Sequence, residues 1–145
     1  MSERVLAIDY GLKRIGLAIS DESKQIAFPL NTLEAGKSMK ETIARLAKEI
    51  ERLEADRGCK INLIVLGMPL HLSGKESTLS APVRALGEGL KALMGKDIVF
   101  WDERMTSNRA NALLKETGKS RKERSAFVDP VAASLLLENY LQGCR

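Results

Sequence analysis

Aromatic residues, cysteine and histidine are scarce in this chain of 145 residues. Aromatics make up 4% of it, too few for the row of rings on which single-strand binders stack successive bases. Two cysteines, Cys59 and Cys144, show no Cys-x-x-Cys spacing, and His71 is the only histidine, which argues against a zinc site of Cys and His. Two cysteines without a signal peptide predict a reducing compartment. No apolar run approaches the ~18 residues that span a bilayer, so a cytoplasmic chain without membrane attachment is expected. A phosphate loop is missing too. Gly11 and Gly16 have its outer spacing, but Leu17-Ala18 stands where Lys-Ser/Thr is required, and Ser73-Gly74-Lys75-Glu76 fails for the same reason. No internal repeat, low-complexity tract or linker interrupts the chain.

What remains is an ordinary globular composition, 44% hydrophobic and 29% charged, which predicts one domain over residues 1–145 with a core of its own. The 23 Lys and Arg exceed the 19 Asp and Glu, for a net charge of +4. That excess suits a polyanionic partner without demanding one.

The organising stretch is Val5-Leu6-Ala7-Ile8-Asp9-Tyr10-Gly11-Leu12-Lys13-Arg14-Ile15-Gly16-Leu17-Ala18. Val5–Ile8 is too short for a helix and reads as a strand buried on both faces. Asp9 then sits where the chain leaves the core and its carboxylate can face a cleft. Gly11 permits a tight turn or the close approach of a ligand. Ile15–Ile19 is a second apolar run, so the unit reads as a hairpin with a basic loop. The competing reading of Asp9 is simple turn chemistry.

Ile26–Leu33 is a third strand candidate, with Pro29 arguing for an edge or bulged position. Ser38-Met39-Lys40-Glu41 matches a capping box, and Ile43, Leu46, Ala47, Ile50 and Leu53 recur at helical spacing to about Asp56. Asn62–Leu66 is a buried strand opening at Gly67-Met68-Pro69. A helix follows over roughly Ser77–Met94, and Ile98–Trp101 is a strand that ends at Asp102-Glu103-Arg104. Thr106 or Ser107 can cap a short helix to about Lys115, and Glu116–Ser125 is polar and basic. Asp129–Leu141 closes the chain as a helix with Pro130 in its first turn. Three meandering strands followed by strand–helix alternation predict an α/β domain with a mixed sheet. Ligands of such sheets gather at the carboxyl ends of the parallel strands, where Asp9, Gly67 and Glu103 all fall.

Carboxylates gathered there can hold hard divalent cations, to which a phosphodiester adds further oxygens. Two such ions can activate a water and stabilise a leaving oxygen. The candidates are Asp9, Glu103 and Asp129, with Asp102 in reserve. Asp102 and Glu103 point to opposite faces if the strand continues, and spacing alone does not choose between them. Glu103 has a competing role as an ion-pair partner of Arg104 or Arg109. Asp129 competes with its own role as a helix N-cap, worth roughly 1 kcal/mol, and the two roles can coexist. Lys119, Arg121, Lys122 and Arg124 offer backbone phosphate contacts, against the alternative of a solvated loop. Arg14 is a second phosphate-contact candidate. His71 reads as polar surface, and Trp101 and Tyr140 as core.

As a set, these residues resemble the YqgF/RuvX family, which has a ribonuclease-H-like fold. The resemblance lies in Asp9-x-Gly11-x-x-Arg14-x-Gly16-Leu17-Ala18, in Gly67-Met68-Pro69, and in Asp102-Glu103-Arg104-Met105-Thr106-Ser107. It closes with Asp129 followed by Ala132-Ala133 and Leu135-Leu136-Leu137, so the blocks span almost the whole chain in the family's order. It implies a mixed five-stranded sheet flanked by helices and a nuclease site dependent on Mg²⁺ or Mn²⁺. Asp9, Glu103 and Asp129 stand where the family's acidic residues stand, which favours Glu103 over Asp102. Arg14, Arg104 and Thr106 occupy its other polar positions, with substrate-contact roles. One departure is Pro130, which stiffens the start of the helix after Asp129.

Family members are described both as Holliday junction resolvases and as nucleases maturing the 5′ end of small-subunit ribosomal RNA precursor. The resemblance therefore implies phosphodiester hydrolysis on structured RNA, with branched DNA as the alternative, by a monomer or homodimer. A non-catalytic RNA-binding or ribosome-assembly factor on the same fold competes with it. An actin-like nucleotide binder is disfavoured, because 145 residues leave no second lobe.

Overall fold

The computed structural model describes residues 2–69, 78–102 and 121–143, with side chains from 131 onward in the last stretch. β1 (Ser2–Asp9) forms around Val5-Leu6-Ala7-Ile8, and all four of those side chains are buried. β2 (Arg14–Ser20) returns antiparallel to it, with Asp9 opposite Gly16.

The third strand predicted over Ile26–Leu33 is divided in two. β3 (Ala27–Pro29) pairs with Ala18–Ser20, and β4 (Leu33–Glu34) pairs with Arg14 and Ile15. Between them three residues face two on β2, the count of a bulge. Pro29 lies on the edge strand, where its missing N–H breaks no ladder.

α1 (Met39–Arg57) starts as the capping box predicts. Ser38 Oγ accepts the Glu41 N–H at 3.2 Å, while Glu41 Oε2 accepts the N–H of Lys37, one residue outside the N-cap. Gly58 ends the helix in the left-handed region at φ 58°.

β5 (Cys59–Met68) runs parallel to β1, and β6 (Asp97–Asp102) runs parallel to β5. Between them α2 (Ser80–Met94) opens with the Ser80 hydroxyl donating to the Pro69 carbonyl at 2.8 Å. Ser77, where the sequence placed its start, lies outside the described residues. The sheet order is β3-β2-β1-β5-β6 with β4 beside β2, so the mixed five-stranded α/β sheet is present with one two-residue addition.

The last helix corrects the sequence reading. α3 runs from Arg121 to Gly143, so Asp129 is not an N-cap and Pro130 is not in the first turn. Arg, Lys, Glu and Ala between 121 and 126 are good helix formers. Pro130 forfeits one bond to the carbonyl four residues earlier, at a cost of about 3 kcal/mol, and the helix continues through it. Arg121, Lys122 and Arg124 therefore lie on a helix, not in a loop.

Alternate strand residues face opposite layers. Leu6, Ile8, Leu17, Ile64 and Leu66 pack with Leu46, Ile50, Val83, Leu86 and Leu90 of α1 and α2. Val5, Ala7, Ala18 and Val65 pack with Ala133, Leu136, Leu137 and Leu141 of α3. Full burial of such a side chain contributes about 1.5–3 kcal/mol, against ~0–1 for an exposed ion pair such as Arg45–Glu41, so the two apolar layers hold the sheet. Among the described residues no helix is long and apolar enough to cross a membrane.

Candidate active site

The parallel strands end level with one another. Ile8 partners Leu66 and Gly67 partners Trp101, so Asp9, Gly67 and Trp101 form a row across β1, β5 and β6. Strand pleating gives the row one face. Val5 and Ala7 pack toward α3, so Asp9, two residues further, shares that side, as does Trp101. Gly67 lies between them in the row and contributes no side chain. Asp102 follows Trp101 and is exposed on the opposite face.

Arg14 joins Asp9 from β2. Gly16 is opposite Asp9, and Arg14 lies two residues away on the same face, a diagonal of ~7–8 Å that an arginine side chain spans. The turn joining them is held from two directions. The Lys13 carbonyl accepts the Ala35 N–H at 2.9 Å, and β4 pairs with Arg14. A Cβ on Gly11 would fall 2.5 Å from the Arg14 carbonyl oxygen. Of the two roles open to Gly11, the close approach is thus to the chain itself. Tyr10 packs into the α1–α2 core, and Leu12 at the tip is exposed.

Trp101 and Tyr140 pack against the α3-side core as expected, but both are only partly buried and Trp101 keeps a polar tie. Its Nε1 donates to Asn139 Oδ1 at 2.7 Å. Neither this contact nor the Ser80–Pro69 bond was foreseen, because no local motif joins residues so far apart in sequence.

Glu103, Arg104, Thr106, Lys119 and His71 lie outside the described residues. Asp129, Arg121, Lys122 and Arg124 are placed on the α3 backbone, and their side chains lie outside the description. Among the described residues no group of three or more His, Cys, Asp or Glu can hold a metal ion. Of the proposed ligands the described part contributes Asp9, a hard oxygen donor suited to Mg²⁺ or Mn²⁺. A cavity lined by Leu30, Asn31, Glu49, Arg52, Leu53, Asp56 and Arg57 involves none of these residues, and its Arg52 is already bracketed by Glu49 and Asp56.

The family model of RuvX, described as a Holliday junction resolvase, matches residues 3–143. The chain belongs to the RuvX family. A protein of Protochlamydia amoebophila named "Putative pre-16S rRNA nuclease" is 42% identical to this RuvX member over 138 residues, covering 95% of this chain and 92% of the relative. The fowlpox virus Holliday junction resolvase has a similar structure, with a TM-score of 0.57 at 14% identity over 98% of this chain and 99% of that one. Thermus thermophilus RuvC, solved with a Holliday junction, gives a TM-score of 0.54 at 16% identity over 98% and 95%. At such identities the likeness is one of fold, and the fold is ribonuclease-H-like.

Proposed function

We propose that this RuvX-family chain is a divalent-metal-dependent nuclease that hydrolyses phosphodiester bonds of structured RNA, maturing the 5′ end of small-subunit ribosomal RNA precursor. The observation that carries the reading is the row at the carboxyl ends of β1, β5 and β6. There Asp9 faces α3 beside a glycine, with Arg14 one diagonal away. The relative named for pre-16S rRNA supports RNA as the substrate.

Asp9, Glu103 and Asp129 would hold Mg²⁺ or Mn²⁺. Asp102 is assigned to the far face, which favours Glu103 from the acidic pair. When bound, such ions activate water and neutralise charge on a phosphodiester. The guanidinium of Arg14 holds a phosphate oxygen beside Asp9 by charge-assisted hydrogen bonds. Arg104 and Thr106 contact substrate, and Lys119, Arg121, Lys122 and Arg124 hold its backbone without reading sequence. We place the activity in the cytoplasm, in one domain acting as a monomer or homodimer. The family description favours branched DNA as the second reading.

The test offers a 5′-extended precursor rRNA fragment and a four-way DNA junction to the wild type and to Asp9→Asn, each with Mn²⁺. The expected outcome is RNA cleavage, lost in Asp9→Asn. Cleavage of the junction alone moves the substrate to DNA. Equal activity in Asp9→Asn removes the mechanism. Metal-independent RNA binding without cleavage makes the chain a binding factor.

A further inference from the structure

Lys13, Lys37 and Lys40 are exposed cations that the proposed site does not use. Backbone contacts gather them at the end of the sheet where β1 finishes in Asp9. The Lys13 carbonyl accepts the Ala35 N–H at 2.9 Å, just past β4, whose Glu34 stands opposite Arg14. Lys37 follows Ala35 by two residues, at most about 7 Å of chain. The Gly36 N–H donates to Thr42 Oγ1 at 2.9 Å and the Lys37 N–H to Glu41 Oε2 at 3.0 Å. Those bonds fold the segment onto the first turn of α1, which also carries Lys40.

Two of the three stand where a helix disfavours them. The N-terminal end of a helix carries partial positive charge, which favours acids and repels cations. Lys37 precedes the N-cap Ser38, and Lys40 lies in a first turn whose one acid, Glu41, is already bound to Arg45 at 2.7 Å. Among the described residues none of the three lysines makes an ion pair. Across residues 9–14 and 34–45 five Lys and Arg outnumber three Asp and Glu. A local preference broken without a local partner is expected at a functional surface, and a surplus of this sign suits a polyanion. Asp9 and Arg14 face α3, whereas α1 covers the other face of the sheet. Lys13 lies in the turn at the rim between the two.

We propose that Lys13, Lys37 and Lys40 form a phosphate-binding track, which carries the RNA strand from Arg14 over the end of the sheet to the start of α1. The inference rests on the reading of RNA as the substrate. Each ammonium is a point charge with three donors, so the track grips backbone phosphates without reading bases. It gives the bound strand a direction away from Asp9.

The test measures binding of a 5′-extended precursor rRNA fragment to the full chain in EDTA over a range of salt, with cleavage in Mn²⁺ followed separately. The variants are Lys13→Gln, Lys37→Gln and Lys40→Gln, with Lys60→Gln as a control of equal charge, exposed at the start of β5 and the far end of the sheet. Each of the three should lower the slope of log affinity against log salt by about 0.7–0.9, and weaken binding about five- to eightfold near 0.1 M salt. Lys37→Arg should keep the slope, and Lys60→Gln should leave it unchanged. Lys37→Gln and Lys40→Gln should keep or raise the melting temperature, since a cation leaves the positive end of α1. A wild type that neither binds nor cleaves the RNA would remove the RNA reading and the inference with it. Cleavage in Mn²⁺ without binding in EDTA would overturn the inference alone. So would slopes that the three variants leave unchanged, or an equal fall in Lys60→Gln, since any surface cation would then serve.

Discussion

Replacing Gly11 by alanine probes the turn that joins Asp9 to Arg14. The new Cβ would sit 2.5 Å from the Arg14 carbonyl oxygen, whereas ordinary contact begins near 3.4 Å, so the turn must open by 0.9 Å (3.4 − 2.5). The Cβ is fixed to the backbone and the oxygen belongs to it, within one short turn, so no side-chain tip can swing aside. Overpacking that forces the backbone to move costs about 1–3 kcal/mol. Alanine returns about 0.4–1 kcal/mol by restricting the unfolded chain. The net loss is about 1–2 kcal/mol, or roughly 3–8 °C in Tm for a chain of this size. Activity should fall further than stability, because a displacement near 1 Å between reacting groups can cost ~100-fold. Thermal melting and RNA cleavage on Gly11→Ala check both parts. An unchanged Tm with a raised KM would show that glycine keeps space for a ligand, and would refute the assignment of that space to the Arg14 carbonyl.

Two further outcomes follow from contacts away from the proposed site. Lys96 Nζ binds Glu54 Oε2 at 3.0 Å and the Ile61 carbonyl at 2.7 Å, tying α1 to β5. Lys96→Met should lose about 2–3 kcal/mol in urea unfolding, below the ~3–5 of a fully buried pair, and a loss under ~0.5 contradicts that role. Asp21 accepts the N–H groups of Ile26 and Gln25 and the Ser23 hydroxyl, which lower its pKa to about 2, the Ile26 bond most of all. A carboxyl lowered on folding adds stability above its unfolded value of 3.8, and that stability is lost as pH falls toward 2. Carboxyl NMR should show the low midpoint, and Asp21→Asn should flatten the stability profile between pH 4 and 2. A midpoint near 3.8 would refute it.

Much of the frame was legible because its signals are local. Val5–Ile8 could only be a buried strand, and the Ser38–Glu41 box marked a helix start. Pro29 marked an edge, as the sheet order bears out. The strand split between Pro29 and Leu33 was hidden, since a bulge depends on how many residues of β2 lie opposite. The start of α3 was misread because Asp129-Pro130 carries a strong cap signal, while helix formers upstream and packing downstream decide the outcome. The hairpin that carries Asp9 and Arg14 was legible from its two apolar runs, and the face those residues share follows from the pairing register. The tie between Trp101 and Asn139 was not, because contacts between distant segments leave no periodic trace.

The measurement that bears most directly on a shared metal site is anomalous scattering from crystals grown with Mn²⁺. The expected result is one or two Mn²⁺ peaks within coordination distance of the carboxylate oxygens of Asp9, with Glu103 and Asp129 as the other ligands. Acids that stand too far apart to share an ion, or peaks that avoid Asp9, would contradict it.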